Sequence, residues 1–278
     1  MTADEAFEIA LAEPLSADAV LLAPVAPDTP DQKVLGFDVR EATVLETVVA
    51  RDGVRRALRL TARAGARPRI SYRFAPGGTD LPDAAYAGFG GRFETMSDEL
   101  AQTALALAPD GPAAVRAPHL LQALADRFVY GHRETHLGTG AEALPALPED
   151  GPATGSCVDI HSVSVAALRA MGVPAAYMIG GYVADGDPDR PTGHCWIRIQ
   201  APGVPADWDV SHHLEYGLGP IAPGLNPKPG RRFALSFGRA PLFDEADGAV
   251  AVLPALSGFH LAEGAERGRK LRTIGRFA

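Results

Sequence analysis

The chain has 278 residues, of which 46% are apolar, so it can bury a sizeable core without needing disulfides or a metal for folding. Its 26 basic and 34 acidic residues give a net charge of −8, which argues against a nucleic-acid partner. The 30 glycines and 24 prolines follow no period and charged residues make up 22%, which excludes collagen-like, coiled-coil and wholly disordered chains.

The sequence also bears on the compartment. Two cysteines are too few for a disulfide framework. The opening residues, MTADEAFEIALAEPL, have no basic region before an apolar core, and no apolar run approaches the ~20 residues that a membrane span needs. We therefore expect a cytoplasmic protein with reduced thiols and no membrane partner.

The first eighty residues are predicted to be rich in β-structure. Apolar and polar residues alternate over 58–63 and over 70–74, and residues 34–49 are dense in Val, Leu, Phe and Thr. A period of two predicts antiparallel strands with one buried and one solvated face. The turn-rich sequence APGGTDLP at 75–82 predicts the boundary of a β-rich N-terminal domain spanning residues 1–80.

The period changes to that of helices in the middle of the chain. Ser97 is predicted to cap one helix, and a second is predicted to begin at residue 113 with apolar residues at helical spacing. The segment 131–155 has the composition of a long loop, a kind of segment that often carries function. A third helix is predicted to start at Cys157 and to end at Gly172.

Strands are predicted again in the last third. They lie near residues 175–183, 194–199, 205–210, 233–237 and 248–253. With the preceding helices they predict an α+β fold class and a second domain over residues 81–255. Residues 256–278 are predicted to be a C-terminal tail, whose five basic side chains between 267 and 276 we expect to be frayed and solvated.

Cys157 has the setting of a nucleophile. A thiol with a pKa near ~8.5 is mostly protonated at neutral pH, and a helix N-terminus stabilises the reactive thiolate. Gly155 is expected to let the backbone turn sharply into the helix, where the N–H of Cys157 would point at a developing oxyanion. The structural alternative is a buried, inert cysteine.

A histidine and two aspartates follow at strand positions. His194 opens the sequence GHCWIRI, and alternation places it on one strand face with Trp196 and Arg198. An imidazole there would pair with the thiolate and then protonate a leaving amine. Asp207 and Asp209, two apart in ADWDV, would lie on one strand face, and either would orient the imidazole. For each of these residues a purely structural role is the alternative.

These motifs occur in a defined order. The sequences GSCVDIHSVSVAALRAMGVPAAYMIGGY, GHCWIRI and DWDVS resemble the transglutaminase-like superfamily, a branch of the papain-like cysteine-enzyme fold. Its members have a G-x-C-x-D helix start, then an H-x-W strand, then an Asp that ends the following strand. The resemblance covers roughly residues 110–240, and 232–238 resembles the closing strand of the family core.

The resemblance implies a helix with the nucleophile packed on an antiparallel sheet that bears the other two groups, preceded by a small β-rich domain. Residue by residue, it implies Cys157 as nucleophile, His194 as its partner and Asp209 as the acid. Asp209 is favoured over Asp207 because a short turn follows it. The implied activity is cofactor-free acyl transfer on a peptide or protein amide bond. Hydrolysis is favoured over transamidation, because bacterial-type members more often look like hydrolases and no second amine site is indicated.

Some features depart from the family or stay open. Cys195 stands where a small residue is common, and alternation points it away from the site, so no bridge to Cys157 is expected. Asp159 of the G-x-C-x-D motif is expected to stabilise the helix start rather than to act in catalysis. The second oxyanion donor stays open between Tyr130, His132 and a loop N–H.

Two other functions remain alternatives. The chain would be a catalytically inactive binding module if it kept the fold without the chemistry, because function lies in the site and not in the fold. A metal site is the other alternative, since His194, Asp209, His212 and His213 are ligand types. Against it, His212 and His213 are adjacent and would point apart in an extended segment. No oligomeric state is predicted.

Overall fold

The computed structural model describes residues 4–224 and 228–277. The protein has the predicted α+β fold class, with antiparallel sheets and few helices. Within the described residues, no helix is long and apolar enough to cross a membrane. The helices are α1 (Asp83–Ala87), α2 (Asp98–Leu107), α3 (Ala113–Ala125), α4 (Cys157–Ala170) and α5 (Val210–Tyr216). The strands are β1 (Glu5–Leu11), β2 (Ala19–Pro24), β3 (Lys33–Arg40), β4 (Thr43–Val49), β5 (Arg56–Ala62), β6 (Arg69–Ala75), β7 (Phe128–Tyr130), β8 (Ala153–Gly155), β9 (Ala175–Ala184), β10 (Asp187–Ile199), β11 (Asp207–Trp208), β12 (Gly230–Phe237), β13 (Leu242–Asp244), β14 (Val250–Val252), β15 (His260–Leu261) and β16 (Thr273–Phe277).

The described residues fall into two compact units that are interleaved along the chain. Unit 1 is drawn from Met1–Pro82, Ile179–His194 and Gly230–Ala278, and unit 2 from Asp83–Met178 and Cys195–Pro229. The three consecutive domains expected from the sequence, with boundaries near residues 80 and 255, stay a prediction.

Unit 1 contains two four-stranded antiparallel sheets. Their strand orders are β16-β1-β6-β3 and β15-β2-β5-β4. The predicted alternation of buried and exposed residues is present in both sheets. In β5, Leu58 and Leu60 are fully buried and Arg59 is more exposed; in β6, Tyr72 is fully buried and its two neighbours along the strand are more exposed. Side chains from both sheets share one hydrophobic core.

Aromatic rings form the centre of this core. Phe7 and Phe233 stack with ring centroids 5.2 Å apart, and Phe74 lies 5.4 Å from Phe233. Burying each such ring stabilises the fold by about 1.5–3 kcal/mol. A Cβ atom at Gly181 would lie 2.2 Å from the Phe7 ring, so the close approach of β9 to Phe7 requires glycine there.

The C-terminal residues differ from the frayed tail expected from the sequence. That expectation is wrong for Thr273–Phe277, because β16 pairs antiparallel with β1, from Phe7 opposite Phe277 to Leu11 opposite Thr273. Phe277 also packs 5.9 Å from Phe233, and the Arg231 guanidinium lies 4.2 Å from its ring centroid. Paired backbone and a packed aromatic anchor outweigh the exposure of the basic side chains.

A third four-stranded sheet has the order β11-β10-β9-β12, and its strands β9 and β10 each contribute residues to both units. Within unit 2, β10 pairs antiparallel with β11, with Ile197 opposite Trp208. The strand predicted over 205–210 is wrong beyond residue 208, because helix α5 begins at Val210.

The helices of unit 2 begin and end where local chemistry predicts. The Ser97 hydroxyl accepts a hydrogen bond from the Leu100 N–H and caps α2. Gly172 has φ +70° and follows α4, and the Val173 N–H reaches back to the Leu168 carbonyl at 2.9 Å. Helix α4 is in contact with α2, α3 and α5.

His260 in unit 1 makes folding stability sensitive to pH. Its side chain is fully buried, its Nδ1 lies 3.2 Å from the Gly268 carbonyl oxygen, and burial lowers the pKa of this imidazole from 6.5 to about 4. Between these values the unfolded chain binds a proton that the folded chain excludes. The free energy of unfolding should therefore fall by about 2 kcal/mol between pH 7.5 and pH 5 through this residue alone.

Urea unfolding of the wild type and of His260→Asn at these two pH values would measure this contribution. Asparagine keeps a donor for the Gly268 carbonyl but does not titrate, so the wild type should lose more stability on acidification than the variant. An equal loss in the two proteins would contradict the assignment.

Candidate active site

Cys157 occupies the first position of helix α4. Strand β8 leads into it, Ser156 is the N-cap residue, and the cysteine side chain is partly exposed. The unpaired N–H groups of a helix start favour a thiolate there. Cys195 is buried by comparison, and the two cysteines form no disulfide with each other.

Gly155 is needed for a different reason from the one expected. Its φ is outside the positive range, so it makes no left-handed turn. A Cβ at this position would lie 3.0 Å from the Phe128 ring and 3.1 Å from the Asp159 Cβ. Because Gly155 has no side chain, β7 and the first turn of α4 can both pack closely against β8, the strand before Cys157.

The carboxylate of Asp159 joins the helix start to the long segment before it. It accepts hydrogen bonds from the Ser156 N–H and hydroxyl, both at 3.0 Å, from the Leu137 N–H at 2.7 Å, and from His136 Nδ1 at 3.3 Å. Burial alone would raise the pKa of Asp159, but these hydrogen bonds outweigh burial and the pKa lies below its usual value. Asp159 thus fixes residues 136 and 137 beside the first turn of helix α4.

Tyr130 is a neutral hydroxyl group close to Cys157. Tyr130 of β7 pairs with Gly155 of β8 in parallel register. Burial raises the pKa of its hydroxyl above the usual value, and the negative charge of a Cys157 thiolate raises it further. Tyr130 therefore stays protonated and able to donate a hydrogen bond near the sulfur.

Asp209 is a helix cap and not a strand residue. The sequence analysis expected Asp207 and Asp209 to share a strand face, which is wrong because β11 ends at Trp208. Asp209 is the N-cap of α5, where its side chain accepts the N–H of His212. Asp207 instead forms a 2.7 Å ion pair with Arg198, so the two acids have separate partners.

Beyond His212, which the sequence analysis considered only as a possible metal ligand, two residues that it did not single out, Ser211 and His161, lie around Asp209. Its buried carboxylate accepts the Ser211 hydroxyl at 3.1 Å and lies 2.9 Å from His212 Nδ1. His161 of α4, one turn after Cys157, accepts the Ser211 N–H at Nε2 over 3.2 Å. The spacing Asp-x-Ser-His is typical of a helix cap and would have predicted the contacts of Ser211 and His212 with Asp209. The contact of His161 comes from tertiary packing, which no local pattern indicates.

His194 lies on β10, at the end of the part of that strand assigned to unit 1. Its imidazole is buried and packs at 5.9 Å from the ring of Tyr182, inclined by 58°. On that same tyrosine ring lies the Arg232 guanidinium, 4.9 Å from the centroid. Unit 1 thus holds this histidine with an aromatic neighbour.

The structure places Cys157 and Asp209 in one unit, on or beside two helices that touch each other.

The geometry also changes the metal alternative. His212 and His213 lie in helix α5, so the expected extended segment is wrong. Nε2 of His213 accepts the Ala222 N–H at 3.2 Å, which directs that imidazole to the loop after α5. Asp209 and His212 both carry atoms of the kinds that bind metals, and His212 Nδ1 lies at hydrogen-bond distance, 2.9 Å, from Asp209 Oδ2.

Comparison with protein families confirms the resemblance for part of the chain. Residues 101–207 match the model of the transglutaminase-like superfamily, Transglut_core. This range includes α4 with Cys157 and the whole of β10 with His194, and it ends two residues before Asp209. A comparison with curated proteins finds no match.

Comparison with solved structures supports the papain-like fold. The chain aligns over 100% of its length with 98% of "a Putative Cysteine Protease from Cytophaga hutchinsonii", at 15% sequence identity and a TM-score of 0.52. A second structure, "a putative protease from Parabacteroides distasonis", aligns over 75% of this chain and 42% of its own, at 14% identity and a TM-score of 0.30.

Replacing Asp159 by Asn should loosen the helix start. An amide offers one acceptor oxygen in place of two and turns its NH₂ toward donors, so at least one buried hydrogen bond to a charged group is lost. We expect Asp159→Asn to lower the free energy of unfolding by about 2 kcal/mol in urea titrations at neutral pH.

The matched control is Asp150→Asn, which changes an exposed acid at the end of the same segment. Its effect should stay within about 0.5 kcal/mol. Equal effects of the two substitutions would show that the Asp159 contacts contribute no net stability.

Proposed function

We propose that this protein is a cysteine-dependent hydrolase of peptide or protein amide bonds, in which Cys157 is the nucleophile, His194 the general base and acid, and Asp209 the residue that orients His194. The observation that carries the proposal is the place of Cys157, a partly exposed thiol at the first position of α4 in the same unit as the buried Asp209 carboxylate. A helix start of this kind is a recurrent setting for reactive thiolates.

The first step is acylation of the cysteine. His194 takes the thiol proton, and the thiolate of Cys157 attacks the carbonyl carbon of the amide to form a tetrahedral oxyanion. The backbone N–H of Cys157 and the hydroxyl of Tyr130 are the donors that we assign to this oxyanion, since Tyr130 stays neutral beside the sulfur. The C–N bond then breaks, and the amine leaves with the proton from His194.

The second step returns the enzyme to its starting state. Water attacks the thioester carbon while His194 takes one of its protons, the C–S bond breaks, a carboxylic acid leaves, and the proton on His194 returns to the sulfur of Cys157. In transamidation an amine would take the place of water. The name of the structure from Cytophaga hutchinsonii denotes a cysteine protease, and we extend that class of reaction to this chain as part of the proposal.

The activation of Cys157 can be tested without a known substrate. Iodoacetamide alkylates thiolates, so the rate of labelling at Cys157 against pH, followed by intact mass, reports where the thiolate forms. We expect a midpoint at least about one pH unit below the ~8.5 of an ordinary thiol.

The control for this labelling is Cys157→Ser, which leaves only the buried Cys195 and should label slowly at every pH. A midpoint near ~8.5 in the wild type would count against the enzyme and favour a binding module.

The fate of the acyl group separates hydrolysis from transamidation. We expect incubation with a peptide library to leave a transient adduct on Cys157 that decays in water, with excess glycine methyl ester incorporated into only a minor part of the product. Quantitative incorporation of the amine, measured by mass spectrometry, would overturn hydrolysis in favour of transamidation.

A further inference from the structure

The carboxylate of Asp209 has more hydrogen-bond partners than a helix cap requires. An N-cap side chain needs to accept one backbone N–H of the first turn, and here Oδ1 accepts the His212 N–H at 3.1 Å. Oδ1 also accepts the Ser211 hydroxyl at 3.1 Å, and Oδ2 lies 2.9 Å from His212 Nδ1. Capping therefore explains one oxygen of this carboxylate, and the imidazole of His212 engages the other.

The protonation of these groups follows from their partners. A carboxylate oxygen only accepts, so Nδ1 of His212 carries a proton and donates to Oδ2. His161 Nε2 accepts the Ser211 N–H, so this nitrogen bears no proton. It lies 3.8 Å from Asp209 Oδ1, and because both atoms are acceptors they form no hydrogen bond with each other. All three side chains are buried, where a lost hydrogen bond is expensive.

We infer that His212 is a positioning residue, whose Nδ1–H sets the orientation of the Asp209 carboxylate. The inference rests on the proposed function, in which Asp209 acts on His194. Two donors hold Oδ1 and a third holds Oδ2, so the plane of the carboxylate is fixed relative to α5.

Glu215 and Tyr216 lie on other sides of the His212 imidazole. Glu215 Oε2 lies 3.9 Å from its Nε2, beyond hydrogen-bond distance, and the Tyr216 ring meets its edge at 6.0 Å between centroids. The donor toward Asp209 is therefore on one edge of the imidazole and the second acid is on the other. This arrangement allows the two edges to be tested separately.

Two substitutions of His212 separate positioning from packing. The amide nitrogen of asparagine stands near the position of Nδ1, and that of glutamine near the position of Nε2. His212→Asn thus restores a donor to Asp209, and His212→Gln removes it. The readout is the pH midpoint of iodoacetamide labelling at Cys157, which depends on Asp209 because an oriented carboxylate stabilises the imidazolium that in turn stabilises the thiolate.

We expect Asp209→Asn to raise the midpoint by about one pH unit or more. His212→Gln should produce at least about half of that shift, and His212→Asn should stay within about 0.2 units of the wild type. If His212 acts through Asp209, the double variant Asp209→Asn/His212→Gln should show the midpoint of Asp209→Asn alone. Glu215→Gln, on the other edge of the imidazole, is the control: it keeps the donor to Asp209 and removes a negative charge that acts on Tyr130 beside Cys157, so it should leave the midpoint unchanged or lower it, and not raise it.

The outcomes separate the inference from the proposed function. A wild-type midpoint near ~8.5 would overturn the proposed function itself. A low wild-type midpoint that His212→Gln leaves unchanged, with only the melting temperature reduced, would overturn the inference alone. A double variant whose midpoint shift equals the sum of the shifts of the two single variants would also overturn the inference alone. If His212→Gln does not fold, His212→Asn still tests the inference, because it restores the donor to Oδ2 and a midpoint raised by more than about 0.2 units would overturn the inference.

Discussion

One buried hydrogen bond, from the backbone N–H of Ser211 to the Nε2 of His161, joins helix α4 to the first turn of helix α5. Both residues are excluded from water, so breaking this bond would leave a donor and an acceptor without compensation. His161 follows Cys157 by one helical turn, and Ser211 follows Asp209 by two residues. The bond therefore ties the helix that begins at Cys157 to the helix that Asp209 caps.

The two helix starts in unit 2 share a common chemistry. In each, a buried aspartate accepts a backbone N–H of the first turn, and in each an imidazole lies against the same carboxylate: His136 at Asp159 and His212 at Asp209. The two acids differ in what else they hold. Asp159 secures the preceding segment through Leu137, whereas Asp209 accepts the Ser211 hydroxyl and the His212 N–H from its own helix. The first carboxylate thus anchors a loop, and the second caps helix α5.

Much of the fold could be predicted because local chemistry decided it. Alternation identified β5 and β6, a serine cap identified α2, and Gly172 identified the end of α4. Helix α5 escaped prediction because it has only seven residues and little apolar periodicity, so the predicted strand was extended to Val210, its first residue. The pairing of β16 with β1 joins residues that are far apart in sequence, and no local pattern reports such a contact. Cys157, His194 and Asp209 were selected by motif. The contacts of Asp209 with Ser211 and His212 follow from its cap position, whereas the approach of His161 depends on tertiary packing.

The pairing of β1 with β16 has a consequence for synthesis. While the ribosome extends the chain from β6 to Thr273, one edge of β1 has no partner, although its other edge can already pair with β6. At about 5–20 residues per second this interval lasts about 10–40 seconds. During that time the unpaired edge of β1 is available to strands of neighbouring nascent chains on the same polysome. We therefore expect aggregation to compete with folding during synthesis.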